Sequence, residues 1–119
     1  MSVDRLSKTA LQKLLSGKVR EPATCVIKFY SNGCPLCHNL KDAYEEISSQ
    51  HDDVYFFAFN IDDYPAAEKV LGFEGVPSIS LIQTGGRRPK IRMMEDPREP
   101  YQDMWFKPED ILEFIEKEK

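Results

Sequence analysis

The chain has 119 residues, 41% of them apolar and 30% charged, with a net charge of −4. That is the size of one domain able to bury its own core, so residues 1–119 are read as a single domain. The acidic balance excludes a general nucleic-acid binder, which needs a basic face, and no apolar run approaches the length of a membrane span.

The N-terminal stretch "MSVDRLSKTALQ" holds no apolar h-region, so no secretory signal is expected. Its start, "SVDRLS", reads as a short first strand. Ser7 or Thr9 then opens a helix carrying Ala10, Leu11, Leu14 and Leu15, which Gly17 ends; Thr9 and Gln12 have capping-box spacing. "TCVIKFYS" is rich in β-branched and aromatic residues and predicts a strand. A helix starts directly after it, with Pro35 at a first helical position and Leu36, Leu40, Ala43, Tyr44 and Ile47 at helical spacing. "VYFFAFNI", Val54 to Ile61, is apolar almost throughout, as in a strand covered on both faces.

A short helix is expected from Pro65 to Leu71, stopped by Gly72. "PSISLIQ" is the next strand, "TGG" a tight turn, and "KIRMM" the return strand of a hairpin. The basic run "GGRRPKIR" falls on that hairpin as solvated charge. "EDPREPYQDMWFK" is irregular, and Met104, Trp105 and Phe106 in it are read as packing for the last helix, with a partner surface as the alternative. Lys107 to Glu118 closes the chain as an amphipathic helix, with Glu109 and Asp110 in its first turn and Ile111, Leu112, Phe114 and Ile115 inward. The order is β-α-β-α-β-α-β-β-α. It implies an α/β fold with a central mixed sheet of about five strands flanked by four helices on its two faces.

Chemistry concentrates in "SNGCPLCHN", Ser31 to Asn39, which holds two of the three cysteines. C-x-x-C followed by His fits a redox dithiol, part of a zinc site, or a haem attachment. Haem attachment needs an exported chain and a different fold pattern, although Met93, Met94 or Met104 would offer an axial ligand. Zinc wants four ligands, and Cys34, Cys37 and His38 are crowded together with no second C-x-x-C. The cysteine count is wrong for a closed disulfide framework, and the reducing cytosol is the expected compartment; a close pair there is catalytic or metal-binding. Cys34 falls at a helix N-terminus, where unpaired N–H groups and the positive dipole end favour a thiolate. Cys37 follows almost one turn later. Position therefore makes Cys34 the nucleophile and Cys37 the resolving thiol. Cys25 reads as a small core residue.

CPLC at a strand–helix junction resembles the thioredoxin-like family, and the order of elements agrees with the thioredoxin fold. "GVPS", Gly75 to Ser78, sits where the family carries its cis-proline, so the resemblance maps that feature to Pro77, preceded by Val76. It implies that Pro77 lies across from Cys34 and presents the Val76 backbone to an extended substrate segment, as in strand addition. The match covers roughly Val26 to Met94; the first and last helices agree in order and character only.

The chain also departs from the family. Gly33 stands where thioredoxins carry a tryptophan, and a proline right after the first cysteine is similar to the CPxC pattern of glutaredoxins. Lys28 occupies the place of the family's buried acid, and Ala58 that of its lysine partner. Lys28 is thus expected either to approach the dithiol and stabilise a thiolate or to snorkel its amine to water. His38 is a further modulator or a plain exposed histidine. The long stretch from Glu95 to Lys107 and the missing glycine near the last strand alter the substrate groove on that side.

The resulting expectation is a monomeric thiol-disulfide oxidoreductase without cofactor or metal. It reduces protein disulfides through Cys34 and Cys37, is recharged by a thiol-disulfide reductase, and has no nucleic-acid or membrane partner. The alternatives are a binding clamp on the same fold with weak redox turnover, and a glutathione-linked reductase.

Overall fold

A computed structural model describes residues 3–119. Its elements run β1 (Asp4–Arg5), α1 (Lys8–Leu15), β2 (Ala23–Tyr30), α2 (Pro35–Ser49), β3 (Tyr55–Asn60), α3 (Ala67–Leu71), β4 (Ser78–Thr84), β5 (Lys90–Met93) and α4 (Pro108–Glu118). The order is the one read from the sequence. Ser2, at the start of the stretch expected as the first strand, lies outside the described residues.

The strands form one sheet in the order β1-β3-β2-β4-β5. β1 and β2 both run parallel to β3, while β4 is antiparallel to β2 and β5. The pleat sends alternate side chains of β2 to opposite faces. Val26 joins Leu40, Tyr44 and Ile47 of α2 and Ile111 and Ile115 of α4 in one core. Cys25, Ile27 and Phe29 join Leu11 and Leu14 of α1 and Ala67 of α3 in the other. Helices therefore cover both faces, and the nearly continuous apolar run of β3 follows from its place between β1 and β2.

Several boundaries differ from the sequence reading, each for a local reason. Ser7, not Thr9, caps α1: its hydroxyl accepts the Ala10 N–H at 3.1 Å, and Thr9 lies inside the helix. β3 stops at Asn60 because the Asn60 side chain accepts the Asp62 N–H and opens a 3-10 turn over Ile61–Asp63. That turn and Pro65 delay α3, which starts at Ala67 rather than Pro65. In the hairpin β5 begins at Lys90, as read, but the connection is longer than "TGG" and spans Gly85–Pro89. Gly85 (φ 103) must be glycine there, because a Cβ would lie 2.7 Å from the Pro22 Cα. Arg87 and Arg88 are solvent-exposed on that loop.

The stretch before α4 is irregular as expected. Phe106 is fully buried in the core beneath α4, and Met104 and Trp105 pack against the same cluster. Tyr101 and Trp105 exchange backbone hydrogen bonds of 2.9 and 2.8 Å, closing a small loop. The Asn39 side-chain amide donates to the Asp103 carbonyl at 2.6 Å, tying this loop to the first half of α2.

Candidate functional site

The C-terminal end of β2 is the centre of the site. Phe29 pairs with Ser78 and Tyr30 with Asn60, so the turn before α2, the start of β4 and the end of β3 meet there. Cys34 is the N-cap of α2 and Pro35 its first residue. Cys34 and Cys37 are joined as a disulfide, with Cα atoms 5.3 Å apart. Cys34 is partly exposed, whereas Cys37 is only 3% exposed. The Cys37 N–H donates to the Cys34 Sγ at 3.1 Å, one of the unsatisfied first-turn donors turned onto sulfur. A negative charge on that sulfur gains from the donor and from the positive end of the helix.

Opposite Cys34 stands the turn that leads into β4. The Val76–Pro77 peptide bond is cis, and the Val76 carbonyl oxygen lies 3.8 Å from the Cys34 Sγ. Val76 is half-buried and Pro77 buried. The turn is fixed from two sides. The Glu68 carboxylate accepts the Gly75 N–H at 2.6 Å, and the Ser78 hydroxyl donates to the Gly75 carbonyl at 2.8 Å. Ser78 belongs to the "GVPS" motif, but Glu68 was not singled out in the sequence, since a helix glutamate seven positions before its partner gives no local signal.

Lys28 lies on the α2 face of β2, only 5% exposed. Its ammonium nitrogen sits 5.2 Å from the Tyr44 ring centre and 6.0 Å from that of Tyr30. Directly opposite on β3 is Ala58, whose small side chain leaves room. The result is a cavity of about 410 Å³ whose walls include Arg5, Lys28, Cys37, Lys41 and Glu45. Lys28 thus shares a cavity with the buried cysteine, whereas Cys34 is not in its wall. Burial lowers the Lys28 amine to about 8, with Glu45 pulling it back up and Lys41 adding to the fall. Tyr44 forms the floor; its hydroxyl lies 2.8 Å from the Phe57 carbonyl and 3.1 Å from that of Val26.

His38 is exposed, and its Nε2 sits 2.9 Å from the Asn32 carbonyl, clasping the turn before the motif. A side chain added at Gly33 would meet nothing within 4 Å, so this side of the dithiol is open. Cys25 is buried on the other face of β2, and burial pushes its thiol up, away from reactivity. No cluster of three or more His, Cys, Asp or Glu among the described residues is placed to hold a metal ion. No helix of the described residues is long and apolar enough to cross a membrane.

The thioredoxin family model matches residues 4–102. A thioredoxin-like protein of Fusarium culmorum is 32% identical over 82 residues, which are 66% of this chain and 64% of that protein. This chain therefore aligns with less than two thirds of that relative's length. Among solved structures, spinach chloroplast thioredoxin f superposes over 98% of this chain and 92% of its own, with a TM-score of 0.72 at 16% identity. Chloroplastic thioredoxin z superposes over 98% and 94%, with a TM-score of 0.67 at 18% identity. At those identities the structures establish a shared fold, and the mixed five-stranded sheet with four helices is the thioredoxin fold.

Proposed function

The chain belongs to the thioredoxin family, and from that premise we propose that it is a thiol-disulfide oxidoreductase acting on protein disulfides. One observation carries the reading. A cysteine pair at the start of α2 is joined as a disulfide, with its outer sulfur under the Cys37 N–H and facing the Val76 carbonyl. In the reduced protein the Cys34 thiolate attacks one sulfur of a substrate disulfide, and the other substrate sulfur leaves as a thiolate. Cys37 then attacks the Cys34 sulfur of the mixed disulfide, the Cys34–Cys37 bond forms, and the second substrate thiolate departs. Two electrons pass from the dithiol to the substrate.

Exposure supports this division of roles, since only Cys34 is open to a macromolecular disulfide. The Val76 backbone, in a turn held by Glu68 and Ser78 through Gly75, lies beside Cys34 where an extended substrate segment would pair with it. The proposal includes the reductive direction, a thiol-disulfide reductase as electron donor, and a monomer working in the reducing cytosol. The count of three cysteines, which closes no disulfide framework, supports the reducing setting.

The test is dithiothreitol-driven reduction of insulin by the wild type and by Cys34→Ser. The wild type is expected to accelerate insulin precipitation well above the dithiothreitol background, and Cys34→Ser to fall to it. A wild-type rate equal to background would overturn the reading.

A further inference from the structure

Lys28 is a buried cation with no use in the reaction described so far. Among the described residues no hydrogen bond or ion pair reaches its ammonium, which lies over the Tyr44 and Tyr30 rings. A lysine in such a place is costly unless it serves as a neutral amine or meets an anion. The cavity it lines contains one group able to become an anion by giving up a proton, apart from the exposed Glu45 and the phenols: the sulfur of Cys37. Cys37 is also the thiol that must ionise after substrate has attached to Cys34, and it is only 3% exposed. Burial by itself raises a thiol's pKa, so resolution needs a nearby proton acceptor.

We propose that Lys28 accepts the Cys37 proton across this cavity and then faces the resulting thiolate as an ammonium, making Cys37 competent to resolve the mixed disulfide near neutral pH. The inference rests on the dithiol-exchange reading above. The step balances. The neutral Lys28 amine takes the Cys37 proton, and the Cys37 thiolate attacks the Cys34 sulfur. The departing substrate thiolate leaves with the bonding electron pair, and the Lys28 ammonium later returns its proton to solvent through the open mouth of the cavity.

The charged and titratable groups facing the Lys28 amine are Arg5 from β1, Tyr30 from its own strand, and His38, Lys41, Tyr44 and Glu45 from α2. β3 contributes only Ala58 opposite. This setting suits proton transfer. Burial brings the amine down to about 8, so a useful fraction is unprotonated at neutral pH and the cation is recovered on taking a proton.

The experiment mixes reduced protein, in a Cys25→Ala background that removes the third thiol, with a chromogenic aromatic disulfide. The first release of coloured thiolate reports attack by Cys34, and the second reports resolution by Cys37. In Lys28→Met the first release is expected to keep its rate. The second is expected to slow about 100-fold at neutral pH, the low end of what a positioned base supplies. Lys28→Arg keeps bulk and charge but does not exchange a proton in this range, and its second release is expected to be slow as well. Glu45→Gln changes only an exposed helix side chain. It removes the charge that holds the Lys28 amine up, so the pH midpoint of the second release should move down.

A second release in Lys28→Met within about twofold of wild type, full recovery in Lys28→Arg, or an unmoved midpoint in Glu45→Gln would each overturn the proposal. Absence of the first release in the wild type would instead overturn the dithiol reading itself, so the two failures are told apart by which phase is lost.

Discussion

At the scale of single residues, Lys28 ties chemistry to stability, and the sign of the link is fixed. Its folded-state pKa is depressed to about 8 from 10.5, chiefly by burial. Between those values the unfolded chain holds a proton that the folded chain has released. Stability therefore rises with pH across that window as far as this group is concerned. Below it the folded state carries the full cost of an enclosed charge. Cys25 and Tyr44, whose pKa values burial raises, pull the other way at alkaline pH. The difference between wild type and Lys28→Met removes both of those contributions. In urea unfolding at neutral pH, Lys28→Met is expected to be more stable, on the order of 1–2 kcal/mol after discounting for the cavity's access to solvent. That advantage should shrink as pH rises from about 8 to 10.5. An advantage that stays constant across the window would mean the lysine keeps its proton when buried, snorkelling its amine to water. That Lys28 falls on a central strand was legible in the sequence, through the resemblance that sets it in the place of the family's buried acid. The cavity it shares with Cys37 and not with Cys34 was not, because that depends on how α2 and β3 pack around it.

Among the elements, α2 and the stretch before α4 do the most to shape the site. Pro35 at the first position and Leu40, Tyr44 and Ile47 at helical spacing made α2 readable, and with it the placement of Cys34 at an N-terminus. The stretch from Glu95 to Lys107 was legible only as irregular, since its two prolines rule out regular pairing without saying where the chain goes. The structure shows it as an anchor. Phe106 fills the core between the sheet and α4, and the Asn39 bond to Asp103 fastens the loop beside α2. Trp105 takes a left-handed backbone (φ 67), a local strain offset by the paired hydrogen bonds with Tyr101. Packing is therefore the role of Phe106, and Met104 and Trp105 lie half-buried against the same cluster. Phe106→Ala is expected to lower stability by about 3–5 kcal/mol in urea unfolding. Tyr101→Ala, on the exposed rim of the same loop, should change it by less than about 0.5 kcal/mol. Equal losses from the two would show that the loop is held at its rim.

For the molecule as a whole, the architecture followed from element order, because a strand–helix–strand unit and a hairpin leave few ways to build one sheet. The dithiol was legible for the same reason: C-x-x-C falls where a central strand hands over to a helix. What remained hidden were long-range holds, such as Glu68 on the Gly75 N–H and the His51 imidazole, 2.9 Å from Glu116 across the ends of α2 and α4. No periodicity encodes such pairs. The fold sets one cysteine at the surface and the other behind it, and the account stands on that asymmetry. Mixed-disulfide trapping with a protein disulfide substrate tests it most directly. Cys37→Ser is expected to accumulate a covalent adduct through Cys34 that dithiothreitol dissolves, and Cys34→Ser to form none, because Cys37 is only 3% exposed. Adducts formed through Cys37 in Cys34→Ser, or none formed in Cys37→Ser, would contradict the assignment of Cys34 as the attacking sulfur.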